Sequence, residues 1–422
     1  MTAGAVIIGA GQAGGRAALM LAEGGYNGPV TLIGAETLPP YERPPLSKDM
    51  LSDPATPPTW LADPARYQQA GIRLVLGRQA IAIDRRAARI RLDDGTDLPY
   101  AHLVLATGSR PRRLPFTLDR LHDLRTIDDV TALSAHAARA RSVLIVGGGV
   151  IGLEVAATLA TKGLAVTVVE IGSRLLGRNF PAPVAALIAA RHATAGVAIR
   201  TATRVRALHE DTGGIHATLS DGSILSADVA VAGIGVVPDS GLAQAAGLAV
   251  DDGIVVDHRM RSSDPAIFAI GDVAAQPGPM GRAMRCETWQ NANVTAAHAV
   301  AAILGAAPPV AEAPWFWTDQ YDLNVQLAGI TGPEADGARI VEQQPGAQNQ
   351  AAIDGRLFLV LDGNRLIGAA AVNAGREMSI CRRLVTAGAM LPDALIGAAT
   401  FDGRAARAVL NPRPASARLV DA

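Results

Sequence analysis

The sequence predicts an α/β protein with two Rossmann-like dinucleotide-binding domains and a small α+β domain at the carboxyl end. Three observations predict it. Two G-x-G-x-x-G turns occur, an apolar strand precedes each turn, and an apolar helix follows each turn. A chain of 422 residues, 49% of them hydrophobic, has room for two or three domains with large cores.

The first glycine turn lies near the start of the chain, in VIIGAGQAGG. Gly9 permits the tight turn, Gly11 lets backbone amides approach a pyrophosphate, and Gly14 lets the helix pack close to the strand. The pyrophosphate would meet free N–H groups and the positive end of the helix dipole. After a second predicted strand at residues 29–33, Glu36 lies where an acid is expected on the adenosine ribose.

The second glycine turn, in LIVGGGVIGLEVA, repeats the pattern with Gly147, Gly149 and Gly152. Apolar runs at residues 142–146 and 165–169 are predicted to be its two parallel strands. The same phosphate-binding geometry is therefore expected twice in this chain.

The acid that ends the second strand of this repeat is Glu170. A carboxylate accepts hydrogen bonds from a free ribose 2′-OH and repels a 2′-phosphate, so the pattern favours NADH over NADPH. Arg174 and Arg178 follow closely and weaken this preference slightly.

Two nucleotide sites in one chain predict two nucleotides held at the same time. The chemical reason is hydride transfer, in which FAD stays bound while NADH comes and goes. The part of the protein is then to place the two rings face to face.

Two further strands point to the flavin site. LVLATGSRP (103–111) and AIFAIGDVA (266–274) are expected to return to the carboxyl edge of the first sheet. Asp272 at that edge would accept hydrogen bonds from ribityl hydroxyls; the alternative is a turn acid at a strand end. DVAVAGIGVVPDS (228–240) is expected to be a return strand of the second domain, with Gly235 leaving room for the nicotinamide half.

These segments predict an interrupted arrangement of the glutathione-reductase-like type. The FAD-binding domain comprises residues 1–109 and 233–310, and the NADH-binding domain comprises residues 110–232. After the Pro-rich stretch around residue 308, residues 311–422 form the third domain, with short strands followed by a helical stretch.

Composition excludes several classes of protein. The net charge of −1, with interspersed acids and bases, does not indicate a nucleic-acid or membrane surface. No basic leader and no uninterrupted apolar run of the ~20 residues that a membrane span needs are present, so a cytoplasmic protein is expected. Cys286 and Cys381 are the only cysteines, which excludes a dithiol redox centre and a four-cysteine metal or iron–sulfur site. The histidines have no metal-binding spacing, and no metal is expected.

Three motifs carry a resemblance to a known family: PYERPPLSK (40–48), ETWQNAN (287–293) and PWFWTDQYDLNVQLAG (314–329). Together with both fingerprints and AIGDVA, they resemble the FAD-containing NADH:ferredoxin reductases of the putidaredoxin, rubredoxin and dioxygenase ferredoxin reductase types. The likeness spans nearly the whole chain and is weakest after about residue 375.

The resemblance implies roles for single residues. The positions where that family contacts FAD are occupied by Ala13, Lys48, Ala80, Arg125, Asp272 and Trp289. The resemblance also implies that Lys48 lies near the flavin ring, where its charge would stabilise negative charge on the reduced flavin. The alternative for Lys48 is a surface charge at a helix end.

The resemblance further implies that Glu154 is an acid beside the nicotinamide and this lysine. Its alternative is an ordinary first-turn helix acid. Trp317 matches an aromatic residue of the third domain that faces the flavin, with core packing beside Trp315 as the alternative. In one departure, some members carry the ribose acid directly after the glycine of L-I-G, where this chain has Ala35 and then Glu36.

The resulting hypothesis is a flavoprotein that takes a hydride from NADH onto FAD and passes single electrons to a [2Fe–2S] ferredoxin serving a cytochrome P450 or a ring-hydroxylating dioxygenase. Related disulfide and peroxide reductases place a cysteine near the flavin around residues 40–50, where this chain has Pro44, Pro45 and Ser47. An NADH oxidase, rubredoxin as the acceptor, and a redox-sensing flavoprotein remain alternatives. The arginines that are candidates for binding an acidic partner are Arg261, Arg282, Arg285, Arg382 and Arg383.

Overall fold

The protein is described by a computed structural model covering residues 3–278, 282–332, 335, 337–346 and 355–410. The chain divides into two compact units, each made of two segments. The first unit comprises Met1–Ala140 and Val229–Val310, and the second comprises Arg141–Asp228 and Ala311–Ala422. The three-domain division expected from the sequence stays a prediction.

The elements of the first half of the chain follow in order. The first segment contains strands and helices β1 Gly4–Ile8, α1 Gln12–Glu23, β2 Val30–Gly34, α2 Asp49–Ser52, α3 Pro64–Gln69, β3 Ile72–Leu76, β4 Ala80–Asp84, β5 Arg89–Leu92, β6 Asp97–Leu105, β7 Ser109–Pro111, β8 Leu121–His122 and α4 Ile127–Ala137. The second segment contains β9 Ser142–Val146, α5 Val150–Thr161, β10 Ala165–Val169, α6 Ala182–Thr194, β11 Ala198–Arg200, β12 Val205–Asp211, β13 Gly214–Leu219 and β14 Ile224–Ala227.

The remaining elements complete both units. The third segment contains β15 Val229–Ala232, β16 Val236–Pro238, α7 Gly241–Ala245, β17 Ile254–Val255, β18 Ile267–Ala269, β19 Ala274–Pro277, β20 Ala283–Met284 and α8 Trp289–Ile303. The fourth contains β21 Trp315–Gln320, β22 Leu323–Gly329, β23 Arg339–Gln343, β24 Arg356–Asp362, β25 Arg365–Val372, α9 Gly375–Thr386, α10 Asp393–Ile396 and α11 Gly403–Leu410.

The first unit is built on a sheet whose parallel strands run in the order β3-β2-β1-β6, with β18 also paired to β6. Ile8 at the end of β1 pairs with Leu105 of β6, and Leu105 pairs with Ala269 of β18. The expectation that the segments around residues 103–111 and 266–274 return to the carboxyl edge of this sheet is confirmed. Loops that follow β1, β6 and β18 therefore meet at one edge, which is where ligands bind in such folds.

The core of the first unit follows from its apolar strands. Ile7, Leu32, Val104 and Phe268 are at most 1% exposed, because strands covered on both faces have no polar side. Burial of each such side chain contributes about 1.5–3 kcal/mol relative to exposure. Helix α1 packs on this sheet through small residues and leucines.

The second unit begins with a β-α-β-α-β succession, in which β9, β10 and β11 are parallel neighbours. Val169 of β10 pairs with Val146 of β9 and with Arg200 of β11, so the carboxyl ends of β9 and β10 lie side by side. Strands β12, β13 and β14 form a separate antiparallel sheet.

Residues beyond 310 add an antiparallel sheet in the order β21-β22-β25-β24-β23 to the second unit. Helix α9 packs its apolar side on this sheet through Met378, Cys381 and Leu384, all fully buried. No α-helix among the described residues combines the length and the apolar character that a bilayer crossing needs.

Candidate active site

The first glycine fingerprint forms a cradle at the N-terminus of α1. Gly9 has a φ of +112°, and a Cβ there would lie 2.1 Å from the carbonyl oxygen of Ala106. A Cβ on Gly14 would lie 1.9 Å from the Gly9 carbonyl oxygen, so only glycine lets α1 approach the strand this closely. Gly11 caps α1 without a side-chain hydrogen bond, and a Cβ there would meet no atom within 4 Å. The first-turn N–H groups thus face open space suited to a pyrophosphate.

Asp272 lies beside this cradle. It follows β18 in a 3-10 turn, Gly271–Val273, and the N–H of Gly271 donates to Thr295 Oγ1 at 2.9 Å. A Cβ on Gly271 would lie 3.0 Å from the Cβ of Ala13, so this turn packs directly on the first turn of α1. The predicted FAD residues Ala13 and Asp272 are therefore neighbours.

Two side chains orient the Asp272 carboxylate. Ser109 Oγ donates to Asp272 Oδ2 at 2.8 Å, and Arg125 donates to the same oxygen at 3.3 Å. Among the described residues no donor reaches Oδ1, which could therefore accept from a ligand hydroxyl. Burial lowers the pKa of the Arg125 guanidinium from its ordinary value, and the nearby charge of Arg43 lowers it further. This arrangement fits the predicted ribityl contact better than a plain turn acid.

Glu36 is held by two residues of the PYERPPLSK motif. Tyr41 Oη donates to Glu36 Oε2 at 2.5 Å, and Arg43 donates to Glu36 Oε1 at 2.8 Å. Arg43 also donates to the backbone oxygen of Arg125. Burial is the main reason why the pKa of Tyr41 lies above its ordinary value, so this hydroxyl remains a donor at neutral pH.

Sequence reasoning missed Ser109, Tyr41 and Arg43 as parts of the site. Tyr41 and Arg43 lie inside a motif that was singled out, and Ser109 directly follows the Thr-Gly that ends β6. Their positions in or beside these motifs could have indicated a role in the site, but the sequence does not show which acid each of them contacts.

Lys48 ends the 3-10 turn Pro44–Ser47 and precedes α2. Its side chain is half-buried, and Nζ donates to the backbone oxygen of Pro44 at 3.2 Å. A lysine held back against its own turn differs from a solvated charge at a helix end, and this supports the predicted flavin role.

The remaining predicted site residues that belong to the first unit lie on separate elements. Ala80 begins β4 and packs against the core of the unit, while Trp289 begins α8 after its N-cap, Thr288. Gly235 has a φ of +102°, and a Cβ there would meet no atom within 4 Å. Its carbonyl oxygen accepts from the N–H of Arg112 at 2.9 Å.

The second fingerprint repeats the first cradle. Gly147 has a φ of +108°, and a Cβ on Gly152 would lie 2.3 Å from the Gly147 carbonyl oxygen. Gly149 caps α5 without a side-chain hydrogen bond, and the first turn of α5 contains no acid. These residues fit a second pyrophosphate for the same reason as the first set.

The carboxylate of Glu170 lies within hydrogen-bond distance of this second glycine turn. Its Oε2 accepts from the N–H of Gly148 at 2.6 Å, and its Oε1 accepts from the N–H of Gly172 at 2.6 Å. The carboxylate is thus fixed beside the fingerprint, where an acid on the ribose is expected.

The side chain of Arg174 binds backbone oxygens. Its guanidinium donates to main-chain oxygens 3.1–3.4 Å away, those of Leu175, Leu176, Gly177 and Phe180. It is therefore not arranged to bind a 2′-phosphate. Arg178 is exposed. These backbone contacts of Arg174 support the predicted preference for NADH over NADPH.

Glu154 lies in the second turn of α5 and is only 3% exposed. The alternative of a first-turn acid that the helix dipole favours does not apply to it. Thr318 of β21 donates to Glu154 Oε1 at 2.6 Å. Trp317, the neighbour of Thr318, stacks on Trp315 with ring centroids 5.2 Å apart, and Arg382 lies 4.5 Å above the Trp315 ring.

Both cysteines are free thiols. Cys286 belongs to the first unit, and burial raises the pKa of its thiol above the ordinary value. Cys381 is fully buried in the core of the second unit. The described residues contain no group of three or more metal-ligating side chains.

Comparison with known proteins decides the family. The pyridine nucleotide-disulphide oxidoreductase family matches residues 4–296, and the reductase C-terminal family matches residues 315–406. The ferredoxin–NAD(+) reductase component of the anthranilate 1,2-dioxygenase system of Burkholderia cepacia is 45% identical over 94% of this chain and 98% of its own length. The chain belongs to the ferredoxin–NAD(+) reductases of the pyridine nucleotide-disulphide oxidoreductase family.

Other relatives of this reductase family agree. Rhodocoxin reductase of Rhodococcus erythropolis is 39% identical over 90% of this chain and 88% of its own length. The solved structure of a covalent putidaredoxin reductase–putidaredoxin complex superposes with a TM-score of 0.88 at 34% identity, covering 97% of this chain and 98% of the reductase. The predicted fold class, the oxidoreductase activity and the cofactors FAD and NADH are confirmed for this member of the family.

Proposed function

We propose that this reductase takes electrons from NADH through a bound FAD and delivers them one at a time to a [2Fe–2S] ferredoxin, which serves a P450 or a ring-hydroxylating dioxygenase. When bound, FAD supplies the conversion of a two-electron donor into single-electron steps. The observation that carries the proposal is the presence of two cradles, each with its own carboxylate, in a chain similar throughout to a dioxygenase-system reductase.

The first unit is assigned to FAD. The N–H groups of the first turn of α1, framed by Gly9, Gly11 and Gly14, hold the pyrophosphate. Asp272 binds ribityl hydroxyls and Glu36 binds the adenosine ribose, while Lys48 provides positive charge near the ring. The further predicted contacts in this unit are Ala13, Ala80, Arg125 and Trp289.

The second fingerprint is assigned to NADH. The first turn of α5, framed by Gly147, Gly149 and Gly152, binds the pyrophosphate, and Glu170 binds the ribose. In this assignment Glu154 is the acid beside the nicotinamide.

We infer that the protein acts in the cytoplasm. Two free cysteines and the use of NADH both suit a reducing compartment.

The docking surface for the ferredoxin stays a prediction. Of the candidate arginines, Arg285 is bound by Glu287 at 2.6 Å and by Asp252 at 3.3 Å, and Arg382 is bound by Glu312 at 3.7 Å. Arg282 and Arg383 are exposed and are the better candidates for an acidic partner.

The function is tested with purified protein loaded with FAD. NADH-dependent reduction of cytochrome c should be fast only when a [2Fe–2S] ferredoxin is added, and slower with rubredoxin. NADH consumption that is matched by oxygen uptake and unaffected by any carrier would instead establish an NADH oxidase.

A further inference from the structure

A row of buried polar side chains in the second unit leads away from Glu154. Thr318 Oγ1 lies 2.6 Å from Glu154 Oε1, and Gln320 Nε2 lies 3.1 Å from Thr318 Oγ1. His192 Nε2 lies 2.8 Å from Gln320 Oε1. All four residues are at most 3% exposed. Polar groups buried this deeply are costly unless each is paired, so the row specifies one arrangement.

The direction of every hydrogen bond follows from its first member. The Thr318 hydroxyl donates its single hydrogen to Glu154. Thr318 must then accept from the amide nitrogen of Gln320, which turns the amide oxygen of Gln320 towards His192. Nε2 of His192 therefore carries its proton, and Nδ1 accepts from Tyr321 Oη at 3.3 Å.

His192 is suited to this neutral form. Burial lowers the pKa of its imidazole below the ordinary value, and the charge of Arg191 also lowers it. Arg191 lies 4.3 Å from the ring of Tyr321 and donates to Asp322 at 2.6 Å, which ends the row at exposed groups. The row thus runs from α5 through β21 to the last turn of α6 without reversing its direction.

Strand β21 gives the row its rigidity. Side chains alternate along a strand, so Phe316, Thr318 and Gln320 share one face while Trp315 and Trp317 share the other. Phe316 packs edge-on against Phe180, with ring centroids 5.5 Å apart, on the same face as Thr318. A hydroxyl on a paired strand is held more firmly than one on a loop.

We propose that Thr318 is a positioning residue for Glu154, and that Gln320 and His192 hold Thr318 in the rotamer that donates to the carboxylate. The residues beyond 310 would then control NADH use through this hydroxyl. The inference rests on the proposed role of Glu154 beside the nicotinamide.

The test compares two buried threonines of the same unit. Thr318→Val removes the hydroxyl that reaches Glu154, whereas the control Thr331→Val removes one that donates to the backbone oxygen of Asn179 at 2.7 Å. In stopped-flow reduction of the FAD-loaded protein by NADH, Thr318→Val should slow the limiting rate about tenfold with little change in the apparent Kd for NADH. Thr318→Ser should restore the rate, and Thr331→Val should leave it unchanged.

A double-mutant cycle separates positioning from general damage. If Thr318 acts through Glu154, adding Thr318→Val to Glu154→Gln should slow flavin reduction by no more than about twofold beyond Glu154→Gln alone. The same cycle measured on thermal unfolding, without NADH, should show coupling between the two positions and none between Glu154 and Thr331. Thr318→Ala provides a second variant, since it removes the hydroxyl without placing a new methyl group against the carboxylate.

Each outcome has one meaning. A rate for both Thr318→Val and Thr318→Ala equal to wild type, or slowing that multiplies with that of Glu154→Gln, would overturn the inference while leaving the reductase function intact. A wild-type rate for Glu154→Gln would remove the role on which it rests. Failure of the proposed function is a different result, because it would appear in the wild-type protein as no reduction of FAD by NADH or as no electron transfer to the ferredoxin.

Discussion

Glu170 is the single side chain that we propose selects the nucleotide. Its two oxygens accept backbone N–H groups of Gly148 and Gly172, so the negative charge has a defined place beside the fingerprint. The guanidinium of Arg174 binds backbone carbonyl oxygens, and Arg178 is exposed. A negative charge at this position is expected to favour the free 2′-hydroxyl of NADH over the 2′-phosphate of NADPH.

Glu170→Gln keeps the size of the side chain and removes its charge. Because a hydrogen bond to a charged group contributes about 1.5–3 kcal/mol, the variant should raise the KM for NADH about tenfold and narrow the preference over NADPH. Steady-state kinetics with both nucleotides would measure this. The control is Glu342→Gln, which removes an exposed acid paired with Arg356. An unchanged NADH/NADPH ratio in Glu170→Gln would contradict the assigned role.

At the scale of elements, the two units use the same device. A parallel strand, a glycine turn and a helix N-terminus are brought so close that a side chain between strand and helix is excluded at Gly14 and Gly152. The added Cβ would clash in the same way in both turns. It would lie 1.9 Å from the Gly9 oxygen at Gly14 and 2.3 Å from the Gly147 oxygen at Gly152.

Gly152→Ala should separate the two nucleotide sites. The added methyl group must push α5 away from β9, so the first-turn N–H groups should move off the NADH pyrophosphate while the FAD cradle on α1 is unaffected. We expect the KM for NADH to rise about tenfold or more, with unchanged FAD content by absorbance. Gly241→Ala at the start of α7, where a Cβ meets nothing within 4 Å, is the control. Loss of FAD from Gly152→Ala would show that the two cradles are not independent.

At the scale of the whole molecule, this chain lacks the pair of thiols that disulfide reduction requires, although its broader family is named for disulphide oxidoreductases. Its two cysteines belong to different units, and the segment that follows Tyr41 contains prolines and a serine instead. A protein dithiol therefore cannot carry the electrons that arrive from NADH.

Cys286→Ser tests this conclusion. Because burial keeps the thiol of Cys286 protonated at neutral pH, we expect no part for it in electron transfer. The variant should keep at least about half of the NADH-to-ferredoxin activity, measured by cytochrome c reduction at matched FAD content. A loss of more than about tenfold with FAD still bound would establish a thiol step.

Much of the architecture could be predicted from the sequence, because the parallel strands are set by apolar runs that are contiguous in the chain. The strands predicted at residues 142–146 and 165–169 are β9 and β10 to the residue, and that predicted at 29–33 is displaced by one from β2. Prediction was poorer for the antiparallel parts. Strand β23 and the sheet of β12, β13 and β14 were not anticipated, although Asp221-Gly222 between β13 and β14 is a hairpin-turn signal.

The sequence by itself determined the two fingerprints, their acids and hence the pair of coenzymes, because a strand, a turn and a helix that are contiguous in the chain have nearly one geometry. Only the tertiary structure decided which distant side chains hold the other two predicted acids, Asp272 and Glu154. Arg125 reaches Asp272 across 147 residues, and Thr318 reaches Glu154 across 164. Such contacts depend on how separate elements pack, and spacing along the chain carries no record of that.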